Sequence, residues 1–190
     1  LAASLIGFGT FASLLYDEVF NFDERARGVL AAVVEPAGLV GLVIGARIGT
    51  RLMAKDPGLV LKFLALTAFF NAGVMVIFAS APVWWVATSA AAVASLVNAI
   101  FVPTIFAVLS MAIPPRARAL GFSIGSLWIL PGLIVLPLIG AIGDAWGIRW
   151  GMGMMAPVYL IGGLILSTAG YVIKDDIAQV WQTAAARAER

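Results

Sequence analysis

From Phe63 to Pro115 the chain reads FLALTAFFNAGVMVIFASAPVWWVATSAAAVASLVNAIFVPTIFAVLSMAIPP, without one Asp, Glu, Lys or Arg. As a single helix this stretch would extend roughly 80 Å at ~1.5 Å per residue, against a bilayer hydrocarbon core of ~30 Å. It therefore crosses a membrane twice and turns in between. The turn is written as Ser80-Ala81-Pro82. Trp84-Trp85 follow it at once, the residue type that collects at the membrane–water interface. The fold class read from this stretch is all-α integral membrane.

Working outward, apolar runs bounded by charges or turn residues fall at about 1–16, 28–46, 58–80, 83–113, 119–142 and 151–173. They predict a bundle of six transmembrane helices over residues 1–173. Pro103 inside the fourth run predicts a kink rather than a break, because a neighbouring helix can re-satisfy the freed carbonyl. The first run, roughly 24 Å as a helix, is short for a crossing. It opens on Leu1 without a Met, so the chain reads as a piece of a longer polypeptide whose first helix lacks its start. Residues 174–190 differ in character: Ile177, Val180, Trp181, Ala184, Ala185 and Ala188 form one apolar stripe at helical spacing, flanked by Arg187 and Arg190. An interfacial helix on the inner leaflet, a linker helix to a further cytoplasmic domain and a partly ordered terminus all fit this tail.

Composition narrows the function classes. At 62% hydrophobic and 12% charged residues, with a mean hydropathy of +1.04, the chain lies outside the range of soluble domains. It has no Cys, which excludes disulfides, thiolate metal sites and a Cys nucleophile, and no His, the commonest metal ligand and general base. Two enzyme-like strings are read as helix packing. Gly121-Phe122-Ser123-Ile124-Gly125 spells a nucleophile elbow, but it opens an apolar helix in a chain with no His to take the serine proton. Gly151-Met152-Gly153-Met154-Met155-Ala156 spells a dinucleotide fingerprint, but no strand precedes it. No enzymatic activity, cofactor or nucleic-acid partner is expected. Gly41, Gly45 and Gly49, four residues apart, predict a ridge on the second helix that another helix can approach closely.

The placement of charge predicts an orientation. Arg47, Arg51, Lys55, Lys62, Arg116, Arg118, Lys174, Arg187 and Arg190 fall on one side of the predicted topology. Only Arg25, Arg27 and Arg149 fall on the other, beside Asp17, Glu18, Asp23, Glu24 and Asp144. The positive-inside bias puts the residue 1 side and the C-terminus in the cytoplasm, and the plasma membrane is the expected location.

Gly45-Ala46-Arg47-Ile48-Gly49-Thr50-Arg51 resembles the loop signature of the major facilitator superfamily, a Gly-x-x-x-Asp-Arg-x-Gly type of turn between paired helices, with Thr50 where the family carries Asp. Pro114-Pro115-Arg116-Ala117-Arg118, continuing to Gly121 and Ser123, resembles the basic loop before that family's eleventh helix. The segment from Gly140 through Asp144 and Gly147 to Arg149-Trp150 is similar to its turn between the last two helices. Asp23-Glu24-Arg25-Ala26-Arg27-Gly28 resembles the loop into its eighth. The resemblance implies the C-terminal six-helix half of a twelve-helix transporter that works by alternating access. Its partners would be the lipid bilayer, the N-terminal half of the same polypeptide and a small-molecule substrate. It also implies that Gly45, Arg47, Gly49, Arg51, Arg116 and Arg118 form conformational loops, and that the first, second, fourth and fifth helices line the pathway.

Candidate pathway or coupling residues are Glu35, Asn98, Trp128 and Phe11. Glu35, followed by Pro36, is the one ionisable residue deep within a predicted span. An acid there costs about 2.5–3.5 kcal/mol on insertion scales, so it is expected inside the bundle with a partner or a purpose. Proton coupling or recognition of a substrate cation is one reading; the other is a structural acid, or one solvated by an outer vestibule. Asn98 reads either as a cavity group or as interhelical glue, and Trp128 as a stacking surface or as packing. Phe8, Phe11 and Tyr16 line the pathway or belong to the core, and Asn71 reads as structural. The competing functions are a permease subunit of an ATP-driven transporter, a six-span channel and a membrane anchor for a cytoplasmic domain.

Overall fold

The structure, a computed structural model, describes residues 2–113, 117–127, 130–169 and 171. Among these residues every regular element is helical and there is no strand. The helices are α1 (Ala2–Phe20), α2 (Glu24–Lys55), α3 (Pro57–Ser80), α4 (Trp84–Ala112), α5 (Arg118–Leu127), α6 (Leu130–Trp146) and α7 (Ile148–Gly153). Past a single turn residue, Met154, the last of these continues, so that Ile148–Ala169 is one apolar span. Among the described residues this span, with α2, α3 and α4, makes four helices long and apolar enough to cross a membrane. α1 carries Asp17 and Glu18 in its last turns, and the described parts of the fifth run are α5, of 10 residues, and α6, of 17, on either side of residues 128 and 129.

The boundaries follow turn chemistry. α1 ends where Asn21 takes a left-handed conformation, φ 55°, which Asn tolerates. The Phe22 N–H then donates back to the Tyr16 carbonyl at 3.1 Å. Asp23 caps α2 by accepting from the Ala26 N–H at 2.8 Å. Asp56 serves two helices: its N–H donates to the Leu52 carbonyl, and its carboxylate accepts from the Gly58 N–H at 2.8 Å, with Pro57 opening α3. The Ser80-Ala81-Pro82 turn lies where the sequence predicts it, between α3 and α4, and α4 runs unbroken through Pro103. Gly147, at φ 96°, ends α6 in a conformation that a Cβ would oppose.

One expectation needs correction. Gly45, Arg47, Gly49 and Arg51 were expected in a connecting loop, yet all four are helical and the turn comes only at Asp56. The reason is packing. Gly45 and Gly49 still face α4 at this depth, and the Thr50 hydroxyl donates to the Ala46 carbonyl at 2.7 Å within the helix. Nothing breaks the helix until Asp56-Pro57.

The core is built around α3, more than half of whose most apolar window is buried, against 17% for α2. Leu64, Met75 and Phe78 of α3 are enclosed with Leu15, Phe101, Met152 and Tyr159. α2 lies against α4 along a seam of glycines. An ideal Cβ on Gly38 would stand 3.0 Å from Ser95 Oγ, one on Gly41 2.1 Å from the Leu96 carbonyl oxygen, and one on Gly45 2.8 Å from Ile100 Cα. Gly49 meets Thr104, whose hydroxyl reaches the Gly45 carbonyl at 3.4 Å. The residue numbers rise together, so α2 and α4 run parallel. The predicted ridge of Gly41, Gly45 and Gly49 is a real close approach, and Gly38 extends it by one turn. Gly151 likewise lies against the Ile139 carbonyl oxygen, at 2.7 Å from an ideal Cβ, which gives the fingerprint-like string a packing role.

Three connections gather at one end of the bundle. Arg149 donates to the carbonyls of Ala79 (2.8 Å) and Ala81 (2.7 Å), closing the C-terminus of α3, and lies over the Phe20 ring. Phe20, Phe22 and Trp84 pack there in a chain of tilted rings. This is called the Asp23 end below, and its opposite the Lys55 end.

Candidate functional site

At the Asp23 end α2 stands away from α4. An added Cβ at Gly28 would meet nothing within 4 Å, in contrast to Gly38 three turns further on. The space between is an open cleft of about 620 Å³ lined by residues of α1, α2 and α4. The face of α2 that carries glycines from Gly38 to Gly49 carries Glu24, Gly28, Ala31 and Glu35 along the cleft. The same face is thus open in one half and closed in the other, and the change falls at Glu35-Pro36.

Glu35 is exposed and lines the cleft. Of the two expected surroundings, enclosure by the bundle or an outer vestibule, the first is absent: the two helices separate above Gly38, and Glu35 lines the cleft. Arg27 lines the mouth and is held by Asp17, with Nη1 donating to Asp17 Oδ2 at 3.1 Å and to Ser13 Oγ at 3.5 Å. This pair joins α1 to α2. Its Nε is buried and has no partner among the described residues.

Asn98 lies at the closed end, nine-tenths buried, and lines the cleft with Ser95. Its Oδ1 accepts from Asn71 Nδ2 at 2.8 Å and from the Tyr159 hydroxyl at 2.5 Å. The group is both cavity lining and glue, since these bonds tie α4 to α3 and to the Ile148–Ala169 span. Asn71 is fully buried, as its structural reading requires. Phe8 and Tyr16 belong to the core and also touch the cleft, with the Tyr16 hydroxyl donating to Thr88 Oγ1 at 3.1 Å. Phe11 is partly buried against the core and is not on the cleft wall.

The other candidates do not converge here. Gly45 and Gly49 are buried in the seam below the cleft, and Arg47 and Arg51 are exposed toward the Lys55 end. Arg118 opens α5. Arg116, Trp128 and the 174–190 tail lie outside the described residues. No group of three acidic side chains capable of holding a metal ion occurs among the described residues.

Sequence reading missed Glu24, Arg27, Ser95 and Tyr159. A signal for the first three was present: Glu24, Arg27, Gly28, Ala31 and Glu35 share a helical face, and Ser95 stands one turn from Asn98. No local pattern points Tyr159 at Asn98. Comparison with family models, with curated proteins and with solved structures gives no match.

Proposed function

We propose that this chain is the C-terminal six-helix half of a secondary active transporter of the major facilitator type, which moves a small solute by alternating access. The observation that carries the reading is the cleft. An apolar bundle holds a pocket of about 620 Å³ with Glu35, Ser95 and Asn98 toward its closed end, open toward the Asp23 end and shut below by the Gly38–Gly49 seam. Polar groups at that depth in a membrane bundle are costly and mark pathways. The helices that line the cleft, α1, α2 and α4, are three of the four that the resemblance assigns to the pathway. An N-terminal half would face the cleft, and rocking of the two halves would open it alternately to either side. In this reading the Asp23 end faces outward and the Lys55 end faces the cytoplasm.

A permease subunit of an ATP-driven transporter is less well supported. It needs a cytoplasmic coupling helix, and the α2–α3 connection is Asp56 alone.

The reading also makes Glu35 a coupling group that takes up and releases a proton as the cleft changes sides. Glu35→Gln mimics the protonated form at nearly constant volume. In proteoliposomes of the full-length protein, the variant is expected to lose accumulation driven by a pH gradient while still exchanging substrate at saturating concentration. Wild-type accumulation per folded molecule at every pH would remove Glu35 from coupling.

A further inference from the structure

We propose that the cleft binds an organic cation, a protonated or quaternary amine or its analogue carried on an apolar body, with Glu35 as its counter-ion. The charge around the cleft favours a cation. Of the charged groups around the cleft, Arg27 is already held by Asp17 at 3.1 Å. Glu24 and Glu35 form no ion pair among the described residues, so the pair at the mouth cancels and the two glutamates do not. An anion entering would meet like charge. A neutral solute would leave a carboxylate desolvated without a counter-charge when the cleft closes, which is expensive at membrane depth. A cation removes both problems.

Glu35 stands where a bound cation would sit. It lies about 16 Å along α2 from Glu24, and only about 5 Å from Gly38, where α2 and α4 meet. Its carboxylate is therefore near the closed end, beside the groups that must define a binding site, while Glu24 stays at the mouth. Opposite, the Oδ1 of Asn98 is committed to Asn71 and Tyr159, which leaves its amide nitrogen for an acceptor on the ligand. Asn98 is nine-tenths buried and lines the cleft, so this donor has little else to serve.

The rest of the wall suits an apolar body. Phe8, Ala12, Leu30, Val34 and Ala91 are apolar, and Tyr16, whose hydroxyl donates to Thr88, adds the edge of the aromatic cluster it forms with Phe20, Phe22 and Phe78. A largely apolar wall with one carboxylate suits a cation with an apolar body. A volume of about 620 Å³ holds a molecule of drug-like size.

The inference rests on the transporter reading only in that the bound cation is cargo; the binding chemistry stands without it. The test uses the purified full-length protein and probes whose charge does not depend on pH. Tetraphenylphosphonium is expected to bind saturably, whereas tetraphenylborate, its anion of the same shape, is not. Glu35→Gln should weaken the phosphonium by about tenfold or more, Glu24→Gln by less, and Glu35→Asp should retain most of the affinity. The aspartate variant also guards against misreading a folding defect. Equal binding of phosphonium and borate, or unchanged affinity in Glu35→Gln, would overturn the proposal. So would a lack of saturable binding for both tetraphenylphosphonium and the smaller tetraethylammonium. A cation bound through Glu35 but never moved in proteoliposomes would uphold the site and remove the transporter reading. Uptake of an anionic or neutral solute without cation binding would do the reverse.

Discussion

At Gly41, α2 and α4 are separated by a single hydrogen atom's worth of space. An ideal Cβ there would lie 2.1 Å from the Leu96 carbonyl oxygen, a backbone atom that cannot swing aside. Gly41→Ala must push α2 off α4, and the expected cost is about 1–3 kcal/mol or more. Gly73 on α3 is the control: it is helical, exposed, and an added Cβ meets nothing within 4 Å. Gly73→Ala should be neutral or should stabilise by up to about 1 kcal/mol, because only helix propensity changes. Thermal melts of the two variants in mild detergent compare them directly. Equal melting temperatures would mean that the seam is looser than its geometry. At this scale the sequence was half legible: the four-residue spacing of Gly41, Gly45 and Gly49 announces a close approach, but not that α4 is the partner.

Among elements, the joint at the Asp23 end turns on Arg149. Its guanidinium spans the Ala79 and Ala81 carbonyls, so one side chain from the start of the last span closes α3 and also covers Phe20 of α1. Hydrogen bonds from a charged donor contribute about 1.5–3 kcal/mol each. Arg149→Met is therefore expected to lower stability by about 2–4 kcal/mol, allowing for partial re-solvation of the freed carbonyls. Arg149→Lys should recover only part, since an ammonium cannot reproduce the two-pronged geometry. Melting curves of the three proteins that coincide would show that the α3 end is held by the aromatic cluster of Phe20, Phe22 and Trp84 alone. In the sequence, Arg149 appears as one of three basic residues on the sparsely basic side and as part of the family-like turn that ends at Trp150. What it caps is decided by a contact spanning some 70 positions of chain, and no local pattern encodes that.

For the whole molecule, the distribution of charge and the proposed topology can be tested together. The chain has no cysteine, so single-cysteine variants within it need no background removal. Thr50 and Ala117 are exposed toward the Lys55 end, and Asn21 is exposed at the Asp23 end. In intact cells, an impermeant thiol reagent should label Asn21→Cys from outside, and Thr50→Cys and Ala117→Cys only after the membrane is opened. Labelling of Thr50→Cys in intact cells would invert the topology and place the mouth of the cleft in the cytoplasm. Large apolar side chains on the outside of the bundle, among them Val33, Leu39, Leu66, Phe70, Ile134 and Ile165, present a surface suited to lipid rather than water.

The sequence by itself determined the helices and where most of them turn. The charge-free run from Phe63 to Pro115 requires two crossings, and Ser80-Ala81-Pro82 divides them where the structure does. Hydropathy, caps and breakers act between residues close along the chain, so their free energies are additive over a short window and can be read there. The tertiary structure decided the rest. Whether α2 stops near residue 46 or continues to Asp56 depended on Gly49 meeting Thr104. Whether Glu35 is enclosed or open depended on α2 leaving α4 just above Gly38. Whether Asn98 is lining or glue depended on the reach of Asn71 and Tyr159. Each of these follows from how one helix is rotated and registered against another. That arrangement is set by the shapes of two packed surfaces at once, and neither surface carries it alone.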